Sequence, residues 1–330
     1  MEAKLPKRDG TLTKILIYDP FAEARSESTY TGGPRYFRET LIPHLKCRYP
    51  EASVEVVCRW TRLTSRSASG KCVVVLIADD PRVILPILLL RITRLQQGLV
   101  YVPVMHLSRN PVKRKGPRWR SAVSWLSQRG HLRLSRILDA HYVAINAWTY
   151  SQLVSAVGAP ERVHLIAPRS MYEPSSTEVR SAPSPYLLYL GRLIEHKGAL
   201  EVIEMFEQIS ESANVKELRM VIAGDGQPQV LRKIRKQISQ SRYRDLISLE
   251  VRCSDDRRDE LLAGAKCLLV LSHEEGFSYV IQEALAHGTP VVAWAIPELI
   301  SVWGHIDGVN LAKENAYVEY AARVVSILNT

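Results

Sequence analysis

HEEGFSYVIQEALAHGTPVVAW, residues 273–294, sets two glutamates, Glu275 and Glu283, around a glycine and a phenylalanine. An alanine-rich helix starting near Ser278 runs to Gly288, which ends it in a left-handed turn. Thr289-Pro290 then opens a short β-branched strand. The stretch is entered from KCLLVL (266–271), so strand, helix and strand follow one another, the repeating unit of a parallel sheet. Upstream the alternation continues through a helix around 256–263, LISLEV (246–251), a helix around 228–238, LRMVIAG (218–224), a helix from about Ala199 to Ile209 and YLLYL (186–190). Downstream come GVNLA (308–312) and a closing helix from Asn315 to about Leu328.

The first half shows the same pattern. KILIYD (14–19), SVEVVC (53–58), KCVVVLIA (71–78), LVYVPVM (99–105), HYVAIN (141–146) and VHLIA (163–167) are predicted strands. YFRETLIPHLK (36–46) has helical spacing despite Pro43, and further helices are predicted over 82–94, within 118–138 and over 150–157. Between the halves, PRSMYEPSSTEVRSAPSP (168–185) holds four prolines and five serines without a sustained apolar period, which marks a linker. The expected fold is α/β: two Rossmann-like domains, 1–170 and 186–330, joined by a linker over 171–185 and facing a common cleft. Ligands are expected where strand ends and helix N-termini meet that cleft.

Composition bounds the function. The 330 residues are 46% hydrophobic and 24% charged, ordinary for a folded chain and too apolar for a disordered one. The five cysteines (47, 58, 72, 253 and 267) are scattered with no close-spaced pair, and read as reduced core residues of a cytoplasmic protein. The start, MEAKLPKRDGTLTK, lacks the apolar run of a secretory signal. VILPILLL (83–90) is far short of the roughly 20 residues a spanning helix needs, and reads as a buried helix. The net charge is +10, and from Arg91 to Arg136 eleven Lys or Arg residues occur with no Asp or Glu, so an anionic partner is expected.

Chemistry-bearing residues gather at strand ends of the second half. Gly191, Arg192 and Lys197 follow YLLYL, Gly224 closes LRMVIAG, and Glu275-Gly276-Phe277-Ser278 follow KCLLVL. Helix N-termini offer unpaired N–H groups and partial positive charge to a phosphate. Arg192 can fork onto phosphate oxygens and Lys197 adds a point charge. Glu275 and Glu283 repel phosphate but accept hydrogen bonds from hydroxyls. By position Glu274 is the alternative to Glu275. The combination suits a ligand that is part diphosphate and part polyol.

These motifs resemble those of the retaining glycosyltransferases of the GT-B superfamily, glycosyltransferase family 4, also called group 1. GRLIEHKG (191–198) is similar to the family's G-R-L-x-x-x-K-G, VIAGDG to its strand-turn element, and EEGFSYVIQEALAHGTPVVA to its paired-glutamate run. The resemblance covers about residues 186–294. It implies that Arg192 and Lys197 bind the donor's diphosphate, that Glu283 holds the ribose, and that Glu275 and the backbone of 276–278 meet the donor sugar. Ser278 stands where the family has a second glycine, and its hydroxyl either narrows the sugar pocket or caps the helix. His273 stands near the usual Pro-Ser.

The resemblance also implies roles for the first half. Gly32 and Gly33 look like the family's glycine-rich loop, with Arg35 a contact to donor phosphate or acceptor. His106 is a candidate near the reacting centre or a structural histidine, and Arg109 an alternative acceptor contact. Among Lys113, Arg114, Lys115, Arg118, Trp119, Arg120 and Trp125, basic and aromatic side chains mix as on an interfacial helix. Ordinary solvated surface and lipid contact stand level there, and nucleic acid ranks last. The expected activity is transfer of a hexose from a UDP- or GDP-sugar to an acceptor hydroxyl, with retention. The acceptor would be a lipid-linked or cell-envelope glycan precursor, met at the inner face of the plasma membrane. No metal or cofactor is expected, since the Asp pairs 79–80 and 255–256 lack Asp-x-Asp spacing. A catalytically silent sugar-nucleotide-binding subunit and a sugar-nucleotide epimerase are the alternatives.

Overall fold

The computed structural model describes residues 13–18, 33–59, 61–62, 72–76, 100–103, 130, 132–133, 140–167, 185–213 and 217–329. The chain divides into two compact units, Met1–Arg169 and Ser170–Thr330. The linker stretch and the predicted helices over 82–94 and 118–138 lie outside, or almost wholly outside, the described residues.

In the first unit β1 (Lys14–Tyr18) precedes α1 (Gly33–Arg48), β2 (Ser53–Val57), β3 (Cys72–Leu76) and β4 (Val100–Pro103). These strands form a parallel sheet in the order β2-β1-β3-β4. β5 (Tyr142–Ala144) and β6 (Val163–Leu165) pair in parallel, with α2 (Ala147–Val157) between them. The period of two along β1 sorts its side chains. Leu16 and Tyr18 pack with Val74 and Tyr142 in one core, Ile15 and Ile17 with Leu41 and Leu45 in another. Both faces of β1 are therefore covered, as its unbroken apolar run predicts. α1 continues through Pro43, which is exposed. Asn146 caps α2, its side chain accepting from the Thr149 N–H at 2.7 Å.

The second unit is described more fully. It comprises β7 (Tyr186–Leu190), α3 (Val202–Ser212), β8 (Arg219–Gly224), α4 (Pro228–Gln240), β9 (Ile247–Val251), α5 (Asp255–Gly264), β10 (Cys267–Val270), α6 (Tyr279–Ala286), β11 (Val291–Trp294), α7 (Pro297–Trp303), β12 (Val309–Ala312) and α8 (Tyr317–Leu328). All six strands are parallel, in the order β12-β11-β10-β7-β8-β9. Every residue of β7, β10 and β11 is buried. α8 closes the core: the buried Tyr320 hydroxyl accepts from the Val270 N–H at 3.0 Å and donates to the Val292 carbonyl at 2.5 Å, stitching β10 to β11.

Three expectations are corrected. The helix after β7 starts at Val202 rather than near Ala199, because residues 195–197 form a 3-10 turn ended by Gly198 at φ 75°. A Cβ on Gly198 would stand 2.2 Å from the Leu271 carbonyl oxygen, so this chain reversal admits only glycine. α7 intervenes between β11 and β12, where the sequence reading has no helix. It is short, has Pro297 in its first turn and buries Leu299 and Trp303 four residues apart. The cysteines are not uniformly core residues: Cys267 is buried, Cys58 and Cys253 are half-buried, and Cys47 is exposed on α1. Among the described residues, no helix is long and apolar enough to cross a membrane.

Candidate functional site

The strand order of the second unit turns between β7 and β10. From a common edge, β7 is followed by β8 on one side while β10 is followed by β11 on the other. The chain leaves two such strands toward opposite sides, and their carboxyl ends are the usual ligand position in an open α/β sheet. The β7 loop is Gly191–Gly198 and the β10 loop is Leu271–Ser278.

The β7 loop is held close to β8. Gly224, at φ 143°, has its Cα against the Gly191 backbone, and a Cβ there would fall 1.8 Å from the Gly191 carbonyl oxygen. The Leu193 N–H donates to the Asp225 carbonyl at 2.7 Å. Beneath the loop, the buried Tyr189 hydroxyl lies 2.9 Å from the Lys197 carbonyl and 3.4 Å from that of Arg192. Burial, then the negative charge of Glu275, raises the Tyr189 pKa, so the phenol keeps its proton for these contacts. Tyr189 is thus a positioning residue that the run YLLYL hides among core positions.

Lys197 and Glu275 join the two loops. Nζ lies 2.6 Å from Oε2, with the lysine side chain 17% exposed and the glutamate 6%. Arg192, in contrast, is exposed at the start of the same loop. The pair therefore does not behave as two equivalent cations: one is engaged by a buried carboxylate and one reaches into solvent.

The turn before α6 departs from ordinary helix entry. Ser278 occupies a left-handed conformation, φ 64° and ψ 71°, which costs a residue with a Cβ about 1 kcal/mol or more. This explains why a glycine would be at ease in this position. The hydroxyl makes no capping hydrogen bond, and Oγ is buried with no hydrogen-bond partner among the described residues, so the helix-cap alternative fails. Phe277 is held from the side: the Trp303 indole N–H donates to its carbonyl at 2.7 Å, and Phe277 packs tilted against both Trp303 and Tyr279 at 5.1 Å. α7, absent from the sequence reading, thus braces the turn.

Glu283 lies inside α6 and is buried. Its Oε2 is 3.7 Å from Nε of Arg258 on α5, which also faces Asp259 at 3.7 Å. His287 stands 3.8 Å from Asp259, its pKa lowered chiefly by burial. Arg258 was not singled out by sequence, and it offers Glu283 a cationic neighbour that orients the carboxylate.

The second unit thus brings Gly191, Arg192, Lys197, Gly224, Glu275, Gly276, Phe277, Ser278 and Glu283 to the strand ends and to the helix that follows. Gly33 begins α1 and Arg35 lies in its first turn. Gly32, His106, Arg109, Lys113, Arg114, Lys115, Arg118, Trp119, Arg120 and Trp125 fall outside the described residues.

The chain is similar in sequence and fold to several known proteins. Residues 176–330 match the family model for glycosyl transferases group 1. A D-inositol 3-phosphate glycosyltransferase of Xylanimonas cellulosilytica is 30% identical over 168 residues, 46% of this chain and 39% of that protein. A GDP-mannose:cellobiosyl-diphosphopolyprenol alpha-mannosyltransferase of Xanthomonas campestris is 26% identical over 148 residues, 45% of this chain and 38% of that protein. The matched region thus spans well under half of these relatives' length. Among solved structures, Anabaena HepE in complex with UDP-glucose superposes with a TM-score of 0.69 at 15% identity, covering 96% of this chain and 89% of that one. A glycosyltransferase from Rickettsia africae gives 0.64 at 13% identity, covering 96% and 88%. The likeness establishes the fold: α/β, of the GT-B class, with two parallel-sheet units.

Proposed function

We propose that the chain is a retaining glycosyltransferase that moves a hexose from a UDP- or GDP-sugar to an acceptor hydroxyl. The observation that carries this reading is the Lys197–Glu275 pair across the β7 and β10 loops, at the turn in strand order. A cation beside a buried carboxylate suits a ligand whose diphosphate and sugar hydroxyls lie side by side.

In this reading the diphosphate enters between the two loops and meets Arg192, Lys197 and the N–H groups that begin α6. Negative charge grows on the departing diphosphate oxygen as the sugar leaves, so donors already fixed there favour the transition state over the ground state. Glu275 and the backbone of 276–278 meet the sugar, and Glu283, steadied by Arg258, takes the ribose hydroxyls. Donor contact is assigned to Gly32 and Gly33, and acceptor contact to Arg35, His106 and Arg109. The X. campestris relative's name specifies GDP-mannose and a diphosphopolyprenol acceptor. With the basic segment 91–136, that supports a lipid-linked acceptor and peripheral contact with an anionic membrane at its cytoplasmic face.

Titration calorimetry of UDP, GDP, ADP and their sugars tests the donor side, followed by donor hydrolysis and transfer assays with the best binder. One nucleotide binding, with affinity lost in Lys197→Ala, supports the reading. No heat with any of them overturns it in favour of a protein that does not use sugar nucleotides.

A further inference from the structure

A cluster of titratable groups is centred on a histidine of the β10 loop. His273 precedes Glu275 by two residues. Its Nδ1 lies 2.9 Å from Oε1 of Glu314 and its Nε2 lies 2.9 Å from Oε1 of Glu201. Carboxylates only accept hydrogen bonds, whereas a neutral imidazole has a single N–H. Both contacts are favourable together only when both ring nitrogens donate, which requires the imidazolium. Glu201 stands at the start of α3, and its second oxygen accepts from the Tyr317 hydroxyl of α8 at 2.9 Å. Glu314 is set between β12 and α8 beside Asn315, itself in a left-handed conformation at φ 66°. The His273 backbone N–H donates to the His196 carbonyl at 2.9 Å, inside the β7 loop. One residue therefore ties together the β7 loop, the start of α3, the β10 loop and the approach to α8.

We propose that His273 is a positioning residue: its imidazolium, gripped by Glu201 and Glu314, fixes the loop backbone that presents Glu275 to Lys197, and alkaline deprotonation releases that loop. This rests on reading Lys197 and Glu275 as the donor site. Burial works to lower the His273 pKa, but the hydrogen bonds and charges of Glu201 and Glu314 outweigh it and raise the value to about 9. Among the described residues, titratable groups bearing on the clamp include Tyr317 on Glu201, Glu204 one turn along α3, and Tyr189, which feels both Glu201 and Glu275. Both tyrosines are raised above their usual value, mainly by burial, so neither titrates before His273. With the folded pKa above the unfolded 6.5, the clamp's stabilisation is complete below about pH 6.5 and fades as pH rises through about 9.

Amide hydrogen exchange of residues 273–278, corrected for the intrinsic rate, tests this between pH 7 and 10. The expected result is a loss of protection of about tenfold centred near pH 9, with the core strand 219–224 unchanged. His273→Gln is expected to show the lower protection at every pH and no step. Should that variant fold poorly, Glu314→Gln keeps a hydrogen-bond acceptor but removes one charge, and is expected to move the step down by about one pH unit. Affinity for whichever of UDP or GDP binds is expected to fall along the same step in the wild-type protein. Absence of the step, or a wild-type step in His273→Gln, overturns the proposal. A nucleotide that binds with affinity indifferent to the step removes the positioning role alone. A step with no nucleotide bound at any pH overturns the donor-site reading and leaves the clamp purely structural.

Discussion

Glutamine at position 275 keeps the side-chain shape and removes its charge, and its effect on nucleotide affinity is opposite to that expected for loss of a simple ligand contact. In the free protein Lys197 Nζ is 2.6 Å from Glu275, with both groups largely out of water. Two unit charges about 4 Å apart at an effective dielectric near 20 attract by about 4 kcal/mol, and lost hydration offsets much of that. A diphosphate must draw the ammonium away from this partner before it can use it. Glu275→Gln removes the competition, so a nucleoside diphosphate should bind about tenfold tighter, equivalent to about 1.4 kcal/mol. The sugar loses a strong acceptor, so the intact nucleotide sugar should gain less or weaken. Lys197→Ala takes the cation from a buried carboxylate and should lower unfolding stability by about 3 kcal/mol. In the double variant most of that loss should be recovered, giving a coupling of about 1–3 kcal/mol. Calorimetry with nucleoside diphosphate and nucleotide sugar, together with urea unfolding of the four proteins, reads every quantity. Weaker nucleoside diphosphate binding by Glu275→Gln, or strictly additive stabilities, would refute the account of a competing ion pair.

Other substitutions probe separate parts of the site. Glu283→Ala should weaken nucleotide binding about tenfold by removing the ribose contact, and Arg258→Ala should weaken it less, since it only steadies that carboxylate; calorimetry separates the two. Gly224→Ala forces a Cβ into the Gly191 carbonyl and should cost at least about 3 kcal/mol, visible in urea unfolding or soluble yield. Ser278→Gly relieves the left-handed strain and should stabilise the C-terminal unit by about 1 kcal/mol, or about 2–4 °C in Tm. The same change keeps the backbone of 276–278 that is read as meeting the sugar, so donor affinity should change little, as heating scans and calorimetry can check together.

What could be read from sequence followed from the covering of the sheet. YLLYL, KCLLVL and PVVAW are apolar on both faces, so their strands were plain, and the punctuation Gly288-Thr289-Pro290 marked the end of α6, with Gly288 at φ 72°. The glycines and charged residues at strand ends were equally legible because they occur in short contiguous runs. α7 escaped because seven residues carry little periodicity; Pro297, Glu298 and the Leu299–Trp303 spacing were its available signals. The His273 clamp had no local signature at all, since Glu201 and Glu314 come from opposite ends of the unit and meet only through the sheet topology. Ser278 shows the reverse case. Its place in the motif was visible, but the conformation that makes it costly belongs to the backbone and not to its neighbours in sequence.

The stitch made by Tyr320 has a consequence for biosynthesis. β7 pairs with β10 through Leu187 and Cys267, and the amide of Val270 finds its phenolic acceptor only on the last helix. A ribosome-bound chain that has not yet released α8 exposes an apolar sheet face and an amide awaiting its partner, in a topology dominated by distant pairings that close slowly. The nascent C-terminal unit is then the natural client for chaperones, and a stop codon anywhere between 313 and 320 should yield an aggregating product even though every strand of the sheet has been made.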